Sequence, residues 1–353
     1  MPTQNQFRDK TILVTGGTGS IGSEIVRQLL KQQPKAVRVF ARHEDRHHKM
    51  MQEFGLSPEN NHQNLRFIIG DVRDKERLRM AMEGADVVFH AAALKHVPMA
   101  EYNPFEVIKT NVLGVQNVID LARDLGVKKV INISTDKAVN PVGILGVSKL
   151  LGEKLILASY YYKGDKKTQF SCVRFGNVLG SRGSILPLMK KQILEKGVVT
   201  VTDPEMTRFV MTIPQAVNLV LNAANLSQGQ EIFVLKMPAV KMGDLAKAAI
   251  KHYAPLAGKV PADIKIQFIG KREGEKDHES LLNGHELNMA METENMYILT
   301  PQQKVVGLEY NKNYPNASKF KARSKHYLSN YAPKLLQNEL INLIKESDSP
   351  RYY

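Results

Sequence analysis

The sequence predicts an α/β protein built on a doubly wound parallel sheet, and three features of its first half predict it. Short apolar runs alternate with longer stretches that carry apolar residues at helical spacing. Those runs read as near-continuous apolar stretches, as strands do when helices cover both faces of a sheet. The first of them ends in a glycine-rich turn that opens straight into a helix. Strands and helices in alternation give parallel strands joined by crossovers.

The elements follow in order. Thr11–Thr15 is the first strand, and Gly16-Gly17-Thr18-Gly19-Ser20-Ile21-Gly22 is the turn and helix start. Glycines at 16, 19 and 22 let the chain turn tightly and let backbone approach a pyrophosphate, while the helix N-terminus offers N–H groups and a positive dipole end. Thr15, Gly16, Thr18, Gly19, Ser20, Ile21 and Gly22 are therefore candidate dinucleotide-binding residues. The helix Ser20–Lys31 places Ile21, Ile25 and Leu29 on one face. The second strand, Ala36–Ala41, is followed by Arg42-His43-Glu44-Asp45-Arg46. An acid at this corner suits the ribose hydroxyls of NAD, and a cation suits the extra phosphate of NADP. Arg42 comes first, which favours NADP, although Glu44 is close by. The third strand, Leu65–Gly70, leads to Asp71 and Val72, placed to hold an adenine. The fourth, Asp86–His90, leads to Ala91, Ala92 and Ala93, whose small side chains would let a cofactor pass. A helical stretch, Asn103–Leu125, carries Asn111, which is counted with the cofactor set. The fifth strand, Lys128–Ser134, ends in Thr135-Asp136-Lys137, and Lys149 lies on the following helix.

After about Gly183 the alternation loosens and proline becomes more frequent. We expect a dinucleotide-binding domain over 1–183 and a substrate-holding region over 184–300, interleaved with the first. Residues 301–353 form a basic tail with a final helix. From Pro301 to Asn338 the only acid is Glu309, against Lys304, Lys312, Lys319, Lys321, Arg323, Lys325 and Lys334.

Lysine and arginine outnumber the acids 49 to 35, for a net charge of +14. That suits a protein that handles polyanions. No nucleic-acid-binding module is recognisable, no apolar run is long enough to span a membrane, and Met1–Lys10 lacks the apolar core of a secretory signal. The lone cysteine, Cys172, excludes an internal disulfide, fits the cytoplasm and reads as a buried strand thiol. His43, His47 and His48 have helical spacing, but no cysteine completes a site and no metal is expected.

At the fifth strand a resemblance begins. Short-chain dehydrogenases carry here a Ser/Thr and a Tyr-x-x-x-Lys pair, whose lysine binds the nicotinamide ribose and lowers the tyrosine pKa. Ala91-Ala92-Ala93-Leu94-Lys95-His96-Val97-Pro98, Ser134-Thr135-Asp136-Lys137-Ala138-Val139-Asn140-Pro141 and Val173–Ser184 resemble the UDP-N-acetylglucosamine 4,6-dehydratases of flagellar pseudaminic-acid and capsule synthesis. So do Thr202–Phe209 and Gly274-Glu275-Lys276-Asp277-His278-Glu279. The likeness runs from about Lys10 to Thr300 and departs at one place: the position of the tyrosine, four before Lys149, is Leu145. Relatives carry Tyr or, in several cases, Met there. Leucine moves no proton, so the sugar hydroxyl needs another acceptor.

The resemblance implies that hydride passes from C4 of the sugar to NADP+, that the C5 proton and the C6 hydroxyl are eliminated from the 4-ketone, and that hydride returns to C6. It makes Asp136 the acid at O6, Lys137 the base at C5 and Thr135 the handler of the O4 proton, with Lys149 on the ribose. For the UDP diphosphate it offers Arg182, Arg208 and Arg272, with Glu275 at the uridine ribose and Asn177 and Ser184 at the phosphates or sugar. Lys95 and His96 would line the sugar pocket, with Met99 packing and His278 either structural or in contact. The family also implies a homo-oligomer. Two other readings stand beside this one: a UDP-sugar 4-epimerase, and a non-catalytic homologue that binds NADP and UDP-sugar.

Overall fold

The computed structural model describes residues 6–56, 64–272, 274–301, 314, 317–319 and 327–348. Lys304, Lys312, Lys321, Arg323 and Lys325 of the basic stretch lie outside the described residues.

Six parallel strands carry the first half: β1 (Thr11–Thr15), β2 (Ala36–Ala41), β3 (Leu65–Ile69), β4 (Val87–His90), β5 (Lys129–Ile133) and β6 (Gln169–Arg174). They lie in the order β6-β5-β4-β1-β2-β3. The strands expected from sequence fall within a residue of these bounds. The direction of winding reverses between β1 and β4, and ligands in such sheets bind outside the strand ends at that switch point. The crossovers are α1 (Ser20–Leu30), α2 (Glu44–Glu53), α3 (Lys75–Met82), then α4 (Val97–Tyr102), α5 (Pro104–Ile108) and α6 (Gly114–Asp124), and finally α7 (Ile144–Tyr162). The stretch expected as one helix over Asn103–Leu125 is thus α5 and α6, joined by a π-helical turn, Lys109–Leu113.

The second half adds to the same sheet. Past β7 (Asn177–Val178), α8 (Ile185–Lys196), β8 (Val198–Val201), β9 (Thr207–Met211) and α9 (Ile213–Leu226), strand β10 (Ile232–Leu235) pairs in parallel with β6. Helix α9 starts on a capping box between Thr212 and Gln215, which satisfies exposed N–H groups at its first turn. There follow β11 (Ala239–Lys241), α10 (Met242–Leu256), β12 (Lys265–Phe268), β13 (Ser280–Leu282) and α11 (Gly284–Leu287). Then β14 (Met291–Glu292), β15 (Met296–Leu299) and β16 (Ser318–Lys319) extend the sheet antiparallel beyond β10, to ten strands. Strand β17 (Tyr327–Leu328) pairs with β13, and α12 (Gln337–Ser347) follows.

The main core is the apolar filling of this sheet, with Ile12, Val14, Val39, Phe89, Ile131, Cys172, Phe233 and Ile298 fully or almost fully buried. A second core lies among α8, β8, α10 and α12, around Leu186, Met189, Val199, Tyr253, Leu340 and Ile344. The two cores present β9 and the loop before β13 to the ends of β5 and β6. No helix among the described residues is long and apolar enough to cross a membrane.

Candidate active site

The glycine-rich turn is held as a cradle. Gly16 has φ +65°, and a side chain there would meet the Ala91 backbone at 2.8 Å, so both dihedral and space require glycine. A Cβ on Gly22 would stand 2.3 Å from the Gly16 carbonyl oxygen, which fixes how closely α1 packs on the turn. Gly17, to which sequence reasoning gave no role, is equally confined, by the Val14 carbonyl at 2.8 Å. Thr18 and Ser20 are buried beside it. Gly19 caps α1 without a side-chain bond, and Ile21 packs on the core. Thr15 is buried and bonds the ring of His90 at 2.8 Å, tying β1 to β4. Burial, with the nearby Lys149 charge, pushes His90 down to about 3. Ala91, Ala92 and Ala93 continue from β4, and Ala91 N–H donates to the Thr15 carbonyl.

Arg42 and Asp71 stand at neighbouring strand ends and pair at 3.4 Å. Asp71 also takes two bonds from the Arg73 side chain. Burial would raise its carboxyl, but Arg73 and Arg42 outweigh that and hold it low. Val72 is buried against Gly114. Asn111, in the π-helical turn, bonds both the N–H and the carbonyl of Leu94 and also Ser148 Oγ, so it fixes the loop after β4 to α7.

At the end of β5, Thr135 caps a short 3-10 turn, Asp136–Ala138. Asp136 is fully buried. Its N–H donates to the Phe175 carbonyl, and its Oδ1 accepts from Thr135 Oγ1 at 2.9 Å and Lys137 Nζ at 3.1 Å. Its Oδ2 is buried without a hydrogen bond. Lys137 Nζ also lies 3.2 Å from Glu279 Oε1, and Lys276 Nζ is 3.8 Å from Glu279 Oε2. Burial pushes the Asp136 carboxyl up, with Glu279 adding to it against Lys137. Burial alone would lower Lys137, but Asp136 and Glu279 hold its ammonium above the ordinary lysine value. Glu279 is held low against burial, by Lys137, Arg208 and Lys276. Lys149 is buried, donates to the Ile133 carbonyl at 2.6 Å and is lowered by burial. Leu145, also buried, packs with Ala100 and Val107. A small open cleft lies over Lys137, Leu145, Gly143, Lys276 and Glu279.

Behind these groups Arg174 is fully buried between Glu153 (2.7 Å) and Glu286 (2.9 Å). Ser134 donates to the same Glu153 at 2.6 Å. The network bolts β5, β6 and α7 together immediately beneath the acid and the amine.

Arg208 lies on β9 with its guanidinium on the carbonyls of Thr207 and Asp277, facing the Lys137–Glu279 cluster. His278 bonds Thr207 Oγ1 at 2.9 Å, and Ser329 bonds both that hydroxyl and the N–H of Glu279. His278 is thus built into the support of the site. Arg182 sits apart from Arg208: its N–H donates to Ser20 Oγ, its guanidinium meets the Thr18 carbonyl, and its own carbonyl accepts from Lys95 Nζ at 2.6 Å. The structure places Arg182 over the glycine-rich turn, away from Arg208. His96 is exposed beside Gly183, Arg272 is exposed, and Met99 is exposed rather than packed. Asn177 Oδ1, Ser184 Oγ and Glu275 Oε2 are each buried without a hydrogen bond. Glu279 and Lys276 are functional positions that sequence reasoning misses, because nothing in the sequence says that their loop meets the end of β5.

Residues 12–301 match the family described as "Polysaccharide biosynthesis protein". An uncharacterised membrane protein of Methanocaldococcus jannaschii is 52% identical over 88% of this chain and 90% of its own. The inverting UDP-N-acetylglucosamine 4,6-dehydratase of Campylobacter jejuni is 44% identical over 85% of each. A UDP-glucose 4-epimerase of Rickettsia bellii is 40% identical over 97% of each. The X-ray structure of Pen from Bacillus thuringiensis superposes with a TM-score of 0.89 at 41% identity, over 97% of this chain and 98% of that one. The chain belongs to the polysaccharide biosynthesis protein family, with the UDP-N-acetylglucosamine 4,6-dehydratases that its motifs resemble.

Proposed function

We propose that the chain is a UDP-N-acetylglucosamine 4,6-dehydratase that works with NADP+ and yields a UDP-4-keto-6-deoxy-amino-sugar. The observation that carries this reading is the acid–amine pair of buried Asp136 and half-buried Lys137, in a cleft whose tyrosine position holds Leu145. The glycine cradle fits a dinucleotide, since Gly16 and Gly22 admit no side chain against the neighbouring backbone, which lets the turn and α1 pack closely enough to offer their N–H groups to a pyrophosphate. Thr15, Thr18, Ser20, Asp71 and Lys149 would hold that cofactor, and Arg42 would meet its 2′-phosphate. Bound nicotinamide supplies an acceptor for the C4 hydride and, later, its donor at C6.

The chain's own residues handle protons. Thr135 Oγ1 donates to Asp136 Oδ1 at 2.9 Å and is given the role of passing the O4 proton through its hydroxyl to the carboxylate. Burial, which raises Asp136, suits it to hold that proton and give it to the departing O6. The proton lost from O4 thus leaves with the water. Lys137 acts as the free amine, the form its two carboxylate neighbours disfavour, its resting proton having passed to solvent before turnover. It takes the C5 proton and returns one to C5 once hydride has reached C6. Arg208 and Arg272 are assigned to the diphosphate, with Asn177, Ser184, Glu275, Lys95 and His96 around the sugar nucleotide.

Incubation with UDP-N-acetylglucosamine should produce an ion lighter by one water, and NMR in deuterated water would report whether C5 is inverted. The epimerase reading has one observation in its favour, the end-to-end match to the Rickettsia bellii relative. An isomer of unchanged mass would establish it and overturn the dehydratase.

A further inference from the structure

We infer that Glu279 is a positioning residue for the acid–base pair, holding the Lys137 ammonium so that Asp136 is free to carry a proton of its own. The inference deepens the proposed function and rests on Asp136 and Lys137 acting as acid and base there.

The geometry is a row of alternating charges. Asp136 Oδ1 and Glu279 Oε1 stand 3.1 and 3.2 Å from the same Nζ, and both carboxylates are buried. An ammonium between two such neighbours can be neutralised by either, but their surroundings differ. Glu279 faces Lys137, Lys276 and Arg208, three cations. Asp136 faces Lys137 and the Thr135 hydroxyl, with Glu279 repelling it. Negative charge is therefore better held on Glu279, and of the two carboxyls Asp136 is the one that more readily takes up a proton. Glu279 comes from the loop before β13, and Ser329 holds its N–H at 3.0 Å, so it reaches the cluster on a rigid support. Without it, the only carboxylate left within reach of Lys137 among the described residues is Asp136. Asp136 would then be held ionised by the amine and would take up the proton needed at O6 less readily.

The sign of the effect is fixed by charge. Removing the negative charge of Glu279 destabilises the ammonium of Lys137 and relieves Asp136 of repulsion, so both groups titrate at lower pH. Glu279→Gln should move both limbs of the kcat profile to lower pH by roughly 1–3 units, the range for a charge at this distance. Glu279→Asp, which keeps the charge, should restore them towards the wild type. Lys276→Met removes a cation and should move the limbs to higher pH, a shift of opposite sign that needs no change at Glu279. A role confined to holding the loop would lower kcat in these variants and leave the limbs in place. Unmoved limbs in both Glu279→Gln and Lys276→Met would overturn the inference. Should Glu279→Gln fail to fold, the Lys276→Met profile decides alone. If instead Asp136→Asn and Lys137→Ala turn over normally, the underlying acid–base assignment has failed, and the inference with it.

Discussion

Glu153→Gln tests whether the buried network under the site is structural support. The substitution keeps the shape of the side chain and removes a charge from a cluster with almost no exposure to water. Glu153 accepts from Arg174 Nε at 3.1 Å, from its Nη2 at 2.7 Å and from Ser134 Oγ at 2.6 Å. Breaking one member of a buried ion pair costs about 3–5 kcal/mol, because the other charge is left poorly compensated. Here Glu286 still holds Arg174 at 2.9 Å, so the lower end applies, about 3 kcal/mol. That is roughly a 150-fold loss in the folding constant. At about 2 °C per kcal/mol for a chain this long, the melting temperature should fall by roughly 6 °C. The sequence has no tryptophan, so circular dichroism is the suitable probe. Glu153→Gln/Arg174→Met, which removes the stranded cation, should recover part of the loss. A melting temperature within a degree of wild type for Glu153→Gln, or a double variant worse than the single, would refute the reasoning.

Other outcomes follow from the same geometry. Asp136→Asn and Lys137→Ala should each lower dehydration by about 100-fold or more, the usual weight of a positioned acid or base, while the thermal shift produced by NADP+ is retained. Gly22→Ala forces a methyl to within 2.3 Å of the Gly16 carbonyl, so the thermal shift by NADP+ should shrink or vanish. His90 has a folded value near 3, against 6.5 when free, with burial the main cause and Lys149 the lesser. The unfolded chain therefore binds a proton that the folded one refuses, and stability from this group is lost as pH falls from 6.5 towards 3. Urea titrations should show about 1.4 kcal/mol lost per pH unit in that window, and His90→Asn should flatten the slope.

The parallel strands were legible because most lie deep in the sheet and centre on short apolar runs, as Ile12-Leu13-Val14 and Val130-Ile131 show, while β3 at the edge is only partly buried. The glycine turn was legible because its chemistry is local. Asn103–Leu125 was read as one helix because a π-helical turn preserves apolar spacing closely enough to hide the extra residue. Positions that depend on distant chain segments were harder. Arg182 sits in a motif with Asn177 and Ser184, yet its loop folds back onto Thr18 and Ser20. Glu279 reaches Lys137 only because β9 and β17 hold its loop there. Leu145 was visible as a missing tyrosine, but its packing against Ala100 and Val107 was not.

The hydroxyl of Ser329 has a consequence for which part of the chain holds Glu279 in place. It is fully buried and touches both Thr207 and Glu279, although the stretch matched by the family ends at residue 301. The carboxylate opposite Lys137 is thus anchored by a residue 50 positions further along the chain, so a change at Ser329 should disturb Glu279 while leaving the glycine-rich turn as it is.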